Sequence, residues 1–273
     1  MKRLTFLLLI LATASGASAQ TISLKSGEVV PANDLVRNGD LIMVSVKSPE
    51  GRIGQVAYHV SDVAELNLPA PDVMTYATEQ VAKGQFKNAL AQIDPIVVYQ
   101  KTIRDIPGNW WAKAALVEVS ALLGLDRAAD AAALVNEIAS NSSDPEILLA
   151  AKLQIDLATK YTDPAQALAA YDAIINQTLD PETLSRAWIA EGDVHFGQHE
   201  FDEALLDYLS VTVFYPEHNQ LIPKALWGSG QAYAKLKDVP NATKTYQELV
   251  STYPESPEAY LAKTELKKID KKT

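Results

Sequence analysis

The chain has 273 residues, no cysteine, and 24 Lys+Arg against 34 Asp+Glu, a formal net charge of −10 at pH 7. An acidic balance of this size opposes nucleic-acid binding, which relies on cationic contacts to phosphate, and disfavours docking on anionic lipid. Without cysteine there are no disulfides, so packing alone must hold the fold.

Lys2 and Arg3 precede a mostly apolar run, Leu4 to Leu11, and Ala17-Ser18-Ala19 stands before Gln20. A basic start, a short apolar stretch and a small-residue cleavage site predict a secretory signal peptide over residues 1–19. The run is too short for a bilayer, which takes roughly 20 apolar residues, and no later stretch is long enough. Cleavage would leave 22 cations against 34 acids, a net charge of −12, and no cysteine to carry a lipid. The expectation is a secreted chain with no membrane span after cleavage. A bacterial periplasm suits it better than a eukaryotic extracellular space, where disulfides are common.

From 20 to 68 the pattern is short and β-like. Ile22 and Leu24 alternate with polar residues, and Asn38-Gly39-Asp40 is a hairpin signal leading into the β-branched stretch Leu41 to Val46. Pro49-Glu50-Gly51 turns the chain again, and Ile53 to Val60 and Val63 to Leu68 read as further strands. This predicts a small curled sheet or barrel, similar in outline to an SH3-like or Sm-like module. So small a sheet has little core of its own and should lean on the first helices. Pro69-Ala70-Pro71 reads as a short stiff linker over 69–71.

From 72 to 273 the signals are helical. Asp144-Pro145-Glu146, Asp163-Pro164, Asp180-Pro181-Glu182 and Ser256-Pro257-Glu258 are helix starts. In each, Asp or Ser can cap a free backbone N–H and Pro fits the first helical position. Asp94-Pro95 falls inside an expected helix and should kink or end it. Between these signals a phrase recurs. Trp188, Gly192, Ala204, Tyr208 and Pro216 are followed 38 positions later by Leu226, Gly230, Ala242, Tyr246 and Pro254. Weaker copies centre on Ala89, Ala131 and Ala167, so the anchoring alanines are spaced 42, 36, 37 and 38 residues apart. A period of this length marks stacked repeats, each too small to bury its apolar face alone.

These residues resemble the tetratricopeptide repeat, in which two helices pair in each unit. The resemblance covers about Asp72 onward, densest after Leu184. It implies a mainly α chain: a helical solenoid of about five helix pairs with a capping helix over Pro257 to Ile269. It also implies that the first helices of the pairs line a concave groove. Arg186, Ile189, Asp193 and Phe196 would face it in one unit, and Lys224, Trp227, Gln231 and Lys235 in the next. Gly197 to Ala204 and Tyr253 to Pro257 further resemble two groups of bacterial envelope proteins. One is a periplasmic cell-division coordinator family, the other an outer-membrane lipoprotein family that assists β-barrel assembly.

Little in the sequence points to catalysis. His195 and His199 lie four apart, but Gly197-Gln198 reads as a turn between them, and His195 falls at a packed aromatic place. There is no nucleophile elbow or phosphate loop, and scattered Asp and Glu fit solvated helix faces. No cofactor or metal is expected. Arg104 to Trp111 sets adjacent tryptophans after Pro107-Gly108, either a wedge between units or an exposed anchor for a partner. The expected function is that of a non-enzymatic adaptor or scaffold binding a protein or peptide in the cell envelope. A self-assembling structural component, or an envelope hydrolase on a helical scaffold, are the alternatives.

Overall fold

A computed structural model describes residues 20–48, 51–158, 163–216 and 220–270. The expected signal peptide lies outside these residues. The chain divides into two compact units: residues 1–69 with Ile106–Asn109, and residues 70–105 with 110–273.

The first unit is antiparallel β. Its strands are β1 (Thr21–Leu24), β2 (Val29–Pro31), β3 (Asn33–Asn38), β4 (Leu41–Lys47), β5 (Ile53–His59) and β6 (Val63–Asn67). They form two three-stranded sheets, ordered β2-β1-β6 and β3-β4-β5. The alternation of Ile22 and Leu24 buries both, and Ile42 and Val44 do the same on β4. The β3–β4 hairpin turns at Gly39, whose φ of +59° suits glycine. The segment Ile106–Asn109 completes this unit. Leu66 N–H donates to Pro107 O at 2.8 Å. Gly108 has φ +82°, and a Cβ there would run into the Leu66 carbonyl, so only glycine fits.

The second unit holds eleven helices among the described residues. They are α1 (Asp72–Ala82), α2 (Phe86–Lys101), α3 (Trp111–Gly124), α4 (Ala128–Asn141), α5 (Pro145–Ala158), α6 (Pro164–Ile175), α7 (Pro181–Gly197), α8 (Phe201–Phe214), α9 (Ile222–Lys235), α10 (Val239–Thr252) and α11 (Pro257–Asp270). Consecutive helices pack as pairs, and the first helices of successive pairs also touch: α1 with α3, α3 with α5, α5 with α7 and α7 with α9. α11 packs on α9 and α10. This is the stacked-repeat arrangement expected from the period.

The helix starts behave as their side chains dictate. Asp180 accepts from Thr183 N–H at 2.8 Å, Asp163 from Ala165 N–H at 3.0 Å, and Ser256 from Ala259 N–H at 3.1 Å. Four turns within pairs use a left-handed residue: Gly84, Asp126, His199 and Lys237, with φ between +57° and +69°. Of the two outcomes expected at Pro95, a kink or an end, it does not end its helix, since α2 continues to Lys101. Ala91, whose carbonyl lacks the Pro95 N–H as partner, and Pro95 itself are both exposed, so the ring sits on the solvent side of the helix, where a freed carbonyl can meet water.

The recurring phrase is a packing rule. All five anchoring alanines are buried. The Tyr208 ring lies between two glycines. A Cβ on Gly192 would sit 2.7 Å from it, and one on Gly228, in the next pair, 2.6 Å. Tyr246 packs against Gly230 in the same way. Glycine lets each helix approach the ring face, and Tyr208 joins neighbouring pairs.

Candidate functional site

The first helices bring one face of each pair to a common wall. On this wall α1, α3, α5 and α7 enclose a cavity of about 600 Å³. Its apolar lining comes from Met74 and Val81 on α1, Leu116 and Val117 on α3, and Ile147, Ala150 and Leu153 on α5, with Leu179 before α7. Lys113, Leu116, Val117 and Ser120 are spaced i, i+3, i+4, i+7 along α3 and so share a face. The other face of that helix buries Trp111, Ala114, Ala115, Val119 and Leu122 in the core.

Polar groups ring the cavity at the starts of α5 and α7. Asp144 Oδ1 accepts from Glu146 N–H at 3.0 Å. Glu146 accepts from the Thr178 hydroxyl and from Leu179 N–H. These hydrogen bonds, led by Thr178, hold its carboxyl below the usual range. Thr183 donates to Asp180 through both N–H and hydroxyl. Arg186 pairs with Glu182 at 2.8 Å, and Lys113 Nζ lies 5.1 Å from the centre of the Trp110 ring. On the floor, Gln154 is 8% exposed and donates Nε2 to Ser120 Oγ at 2.8 Å.

Of the eight groove residues expected from sequence, Arg186 alone lines this cavity. Asp193, Lys224 and Trp227 lie further along, on α7 and α9. Lys224 Nζ is 3.1 Å from Asp193 Oδ2, whose other oxygen accepts from Tyr208 OH at 2.9 Å. Trp227 is half-buried, its ring 5.6 Å from that of Tyr246. Phe196 is half-buried against Phe201, Gln231 is half-buried, and Lys235 is exposed. Ile189 corrects the expectation: it is 3% exposed and packs with Ala204, Tyr208 and Val211, so it serves the core. The adjacent tryptophans divide between the two readings. Trp111 is 1% exposed within the core of α1–α5, while Trp110 is half-buried beside Lys113.

His195 is also explained by packing. Its Nδ1 is 2.7 Å from Asp207 Oδ2, tying α7 to α8. Beside it Glu191 is buried, and burial, then the nearby Asp207 and Asp172, push its carboxyl up to about 7. Neither Glu191 nor Asp207 lines the cavity. Among the described residues, no group of three His, Cys, Asp or Glu could hold a metal ion, and no helix is long and apolar enough to cross a membrane.

Residues 224–256 match the family described as tetratricopeptide repeat. No curated protein matches the chain. Among solved structures, it is similar to YrrB, described as a TPR protein with an unusual peptide-binding site. The identity is 17%, the match covers 72% of this chain and 92% of that one, and the TM-score is 0.38. It is also similar to the TPR2AB domain of yeast Sti1 in a complex with pHSP90, at 15% identity, 72% and 85% coverage and a TM-score of 0.34. At these scores neither likeness says what this chain binds.

Proposed function

We propose that this chain, a helical repeat array carrying a tetratricopeptide repeat at residues 224–256, is a non-enzymatic adaptor that captures a segment of a partner protein. The observation that carries the reading is the cavity walled by α1, α3, α5 and α7. Its apolar lining with a few polar groups at the edge is the composition of a recognition site. Rigid helices supply the wall, so little ordering entropy is lost on binding. The basic, apolar and small-residue order of residues 1–19 supports export. The lack of cysteine favours a bacterial envelope as the working compartment.

The test is a crosslinked pull-down from the native envelope with the wild-type chain and with Val117→Asp. Val117 is half-buried and lines the cavity, so the charge should desolvate poorly against a bound segment. We expect capture to fall by about tenfold or more, with the helical circular-dichroism signal retained. Undiminished capture by the folded variant would overturn the reading.

A second reading, self-assembly, is favoured by α8. Leu206, Val213 and Phe214 are each at least 65% exposed along its outer side. Size-exclusion with light scattering separates the two, since a monomer leaves only the adaptor.

A further inference from the structure

We infer that the occupant of this groove is an extended segment carrying Lys or Arg next to apolar side chains. This rests on the adaptor reading and adds the charge of the partner. Four carboxylates line the cavity, Asp144, Glu146, Asp180 and Glu182, against the cations Lys113 and Arg186. Both cations are engaged, Arg186 by Glu182 and Lys113 by the Trp110 ring. An acidic segment would have to displace one of these contacts.

The carboxylates keep acceptor capacity. Asp144 uses Oδ1, Asp180 uses Oδ2 and Glu182 uses Oε1. Their second oxygens accept from no described residue, and an ionised carboxylate has about four acceptor sites. The lining carries two more acids than cations; the starts of α3, α5 and α7 each contribute about half a positive charge, so they offset somewhat less than that excess. The chain's overall negative charge acts in the same direction, steering a cationic segment inward.

Gln154 adds an independent acceptor. The Ser120 hydroxyl donates its one hydrogen to Leu116 O at 3.1 Å, so toward Gln154 it can only accept. That fixes Gln154 Nε2 on Ser120 and leaves Oε1 as an acceptor to which no described residue donates. The floor and the edge of the cavity therefore both call for donors. Backbone N–H groups of an extended chain suit the first, and an ammonium or guanidinium suits the second.

The experiment measures fluorescence anisotropy of two labelled twelve-residue peptide pools against the whole chain. Both pools have the same Leu and Val content, and alternate positions hold Lys in one and Glu in the other. The Lys pool should bind about tenfold more tightly at low salt, with the margin shrinking as salt rises. Lys113→Glu should tighten the Lys pool, and Glu182→Gln should weaken it, each by about threefold. Equal or tighter binding of the Glu pool overturns the charge assignment and leaves the adaptor reading standing. Binding of neither pool overturns the assignment as well, and an empty envelope pull-down then overturns the adaptor reading too.

Discussion

In α7–α10 tyrosine rings are set against glycines, Tyr208 on Gly192 of its own pair and Gly228 of the next, and Tyr246 on Gly230 of its own pair. In α1–α6 a ring also meets a glycine, Phe86 on Gly124, but most of the space between helices is filled by branched and aromatic side chains: Ile93, Trp111, Val119 and Ile138 are all buried there. The cavity extends across the second kind of packing and reaches the first only at the start of α7. Ring-on-glycine packing brings helices together and leaves little room between them. The irregular half has residues on α3 and α5 turned to a second face, and that face lines the cavity.

The largest test of this contrast removes a ring. Tyr208→Ala should cost about 3–5 kcal/mol, because the ring is 3% exposed and touches two pairs; chemical denaturation measures it. Next comes the glycine side. Gly→Ala in an open helix gains up to about 1 kcal/mol. Gly228→Ala should instead lose about 1–3 kcal/mol, since the new methyl would meet Tyr208. Gly124→Ala probes the irregular half in the same assay, as its methyl would meet the Phe86 ring. Loss is expected at both positions; loss at Gly228 with gain at Gly124 would confine the tight-approach rule to the C-terminal pairs.

The smallest effect is on pH. Each half holds one acid raised to about 7: the half-buried Glu118 by desolvation and then Asp94, and the buried Glu191 by desolvation and then Asp207 and Asp172. A carboxyl whose folded pKa lies above its unfolded value binds its proton more tightly when folded. Its stabilisation is complete below about 4.5 and is lost as pH rises to about 7. Thermal melting should show stability falling across that window. Glu118→Gln and Glu191→Gln should each flatten part of the fall, by on the order of 1 kcal/mol once solvent screening is allowed for.

Much of the fold was legible because its rules are local. The alanines are anchors, the Asp-Pro and Ser-Pro pairs are helix starts, and Asn38-Gly39 is a hairpin turn. At Pro95 the sequence leaves both a kink and a helix end open, and α2 runs on to Lys101. The site was less legible. Motif residues mark where helices are closest, on α7 and α9, and Ile189 there packs in the core. The spacing of Lys113, Leu116, Val117 and Ser120 did carry a signal. An α-helix with apolar stripes on two sides needs either a second neighbour or a ligand.

The tie between Leu66 and Pro107 has a consequence for dissecting the molecule. The described residues from Gln20 to Pro69 and Ile106–Asn109 fold as one body although α1 and α2 intervene in sequence. No single scission therefore yields two intact halves. Cutting after residue 69 would strip Ile106, 2% exposed, of its cover and leave the Leu66 amide without its acceptor. Shuffling this β unit onto another protein would have to carry a four-residue graft along with it.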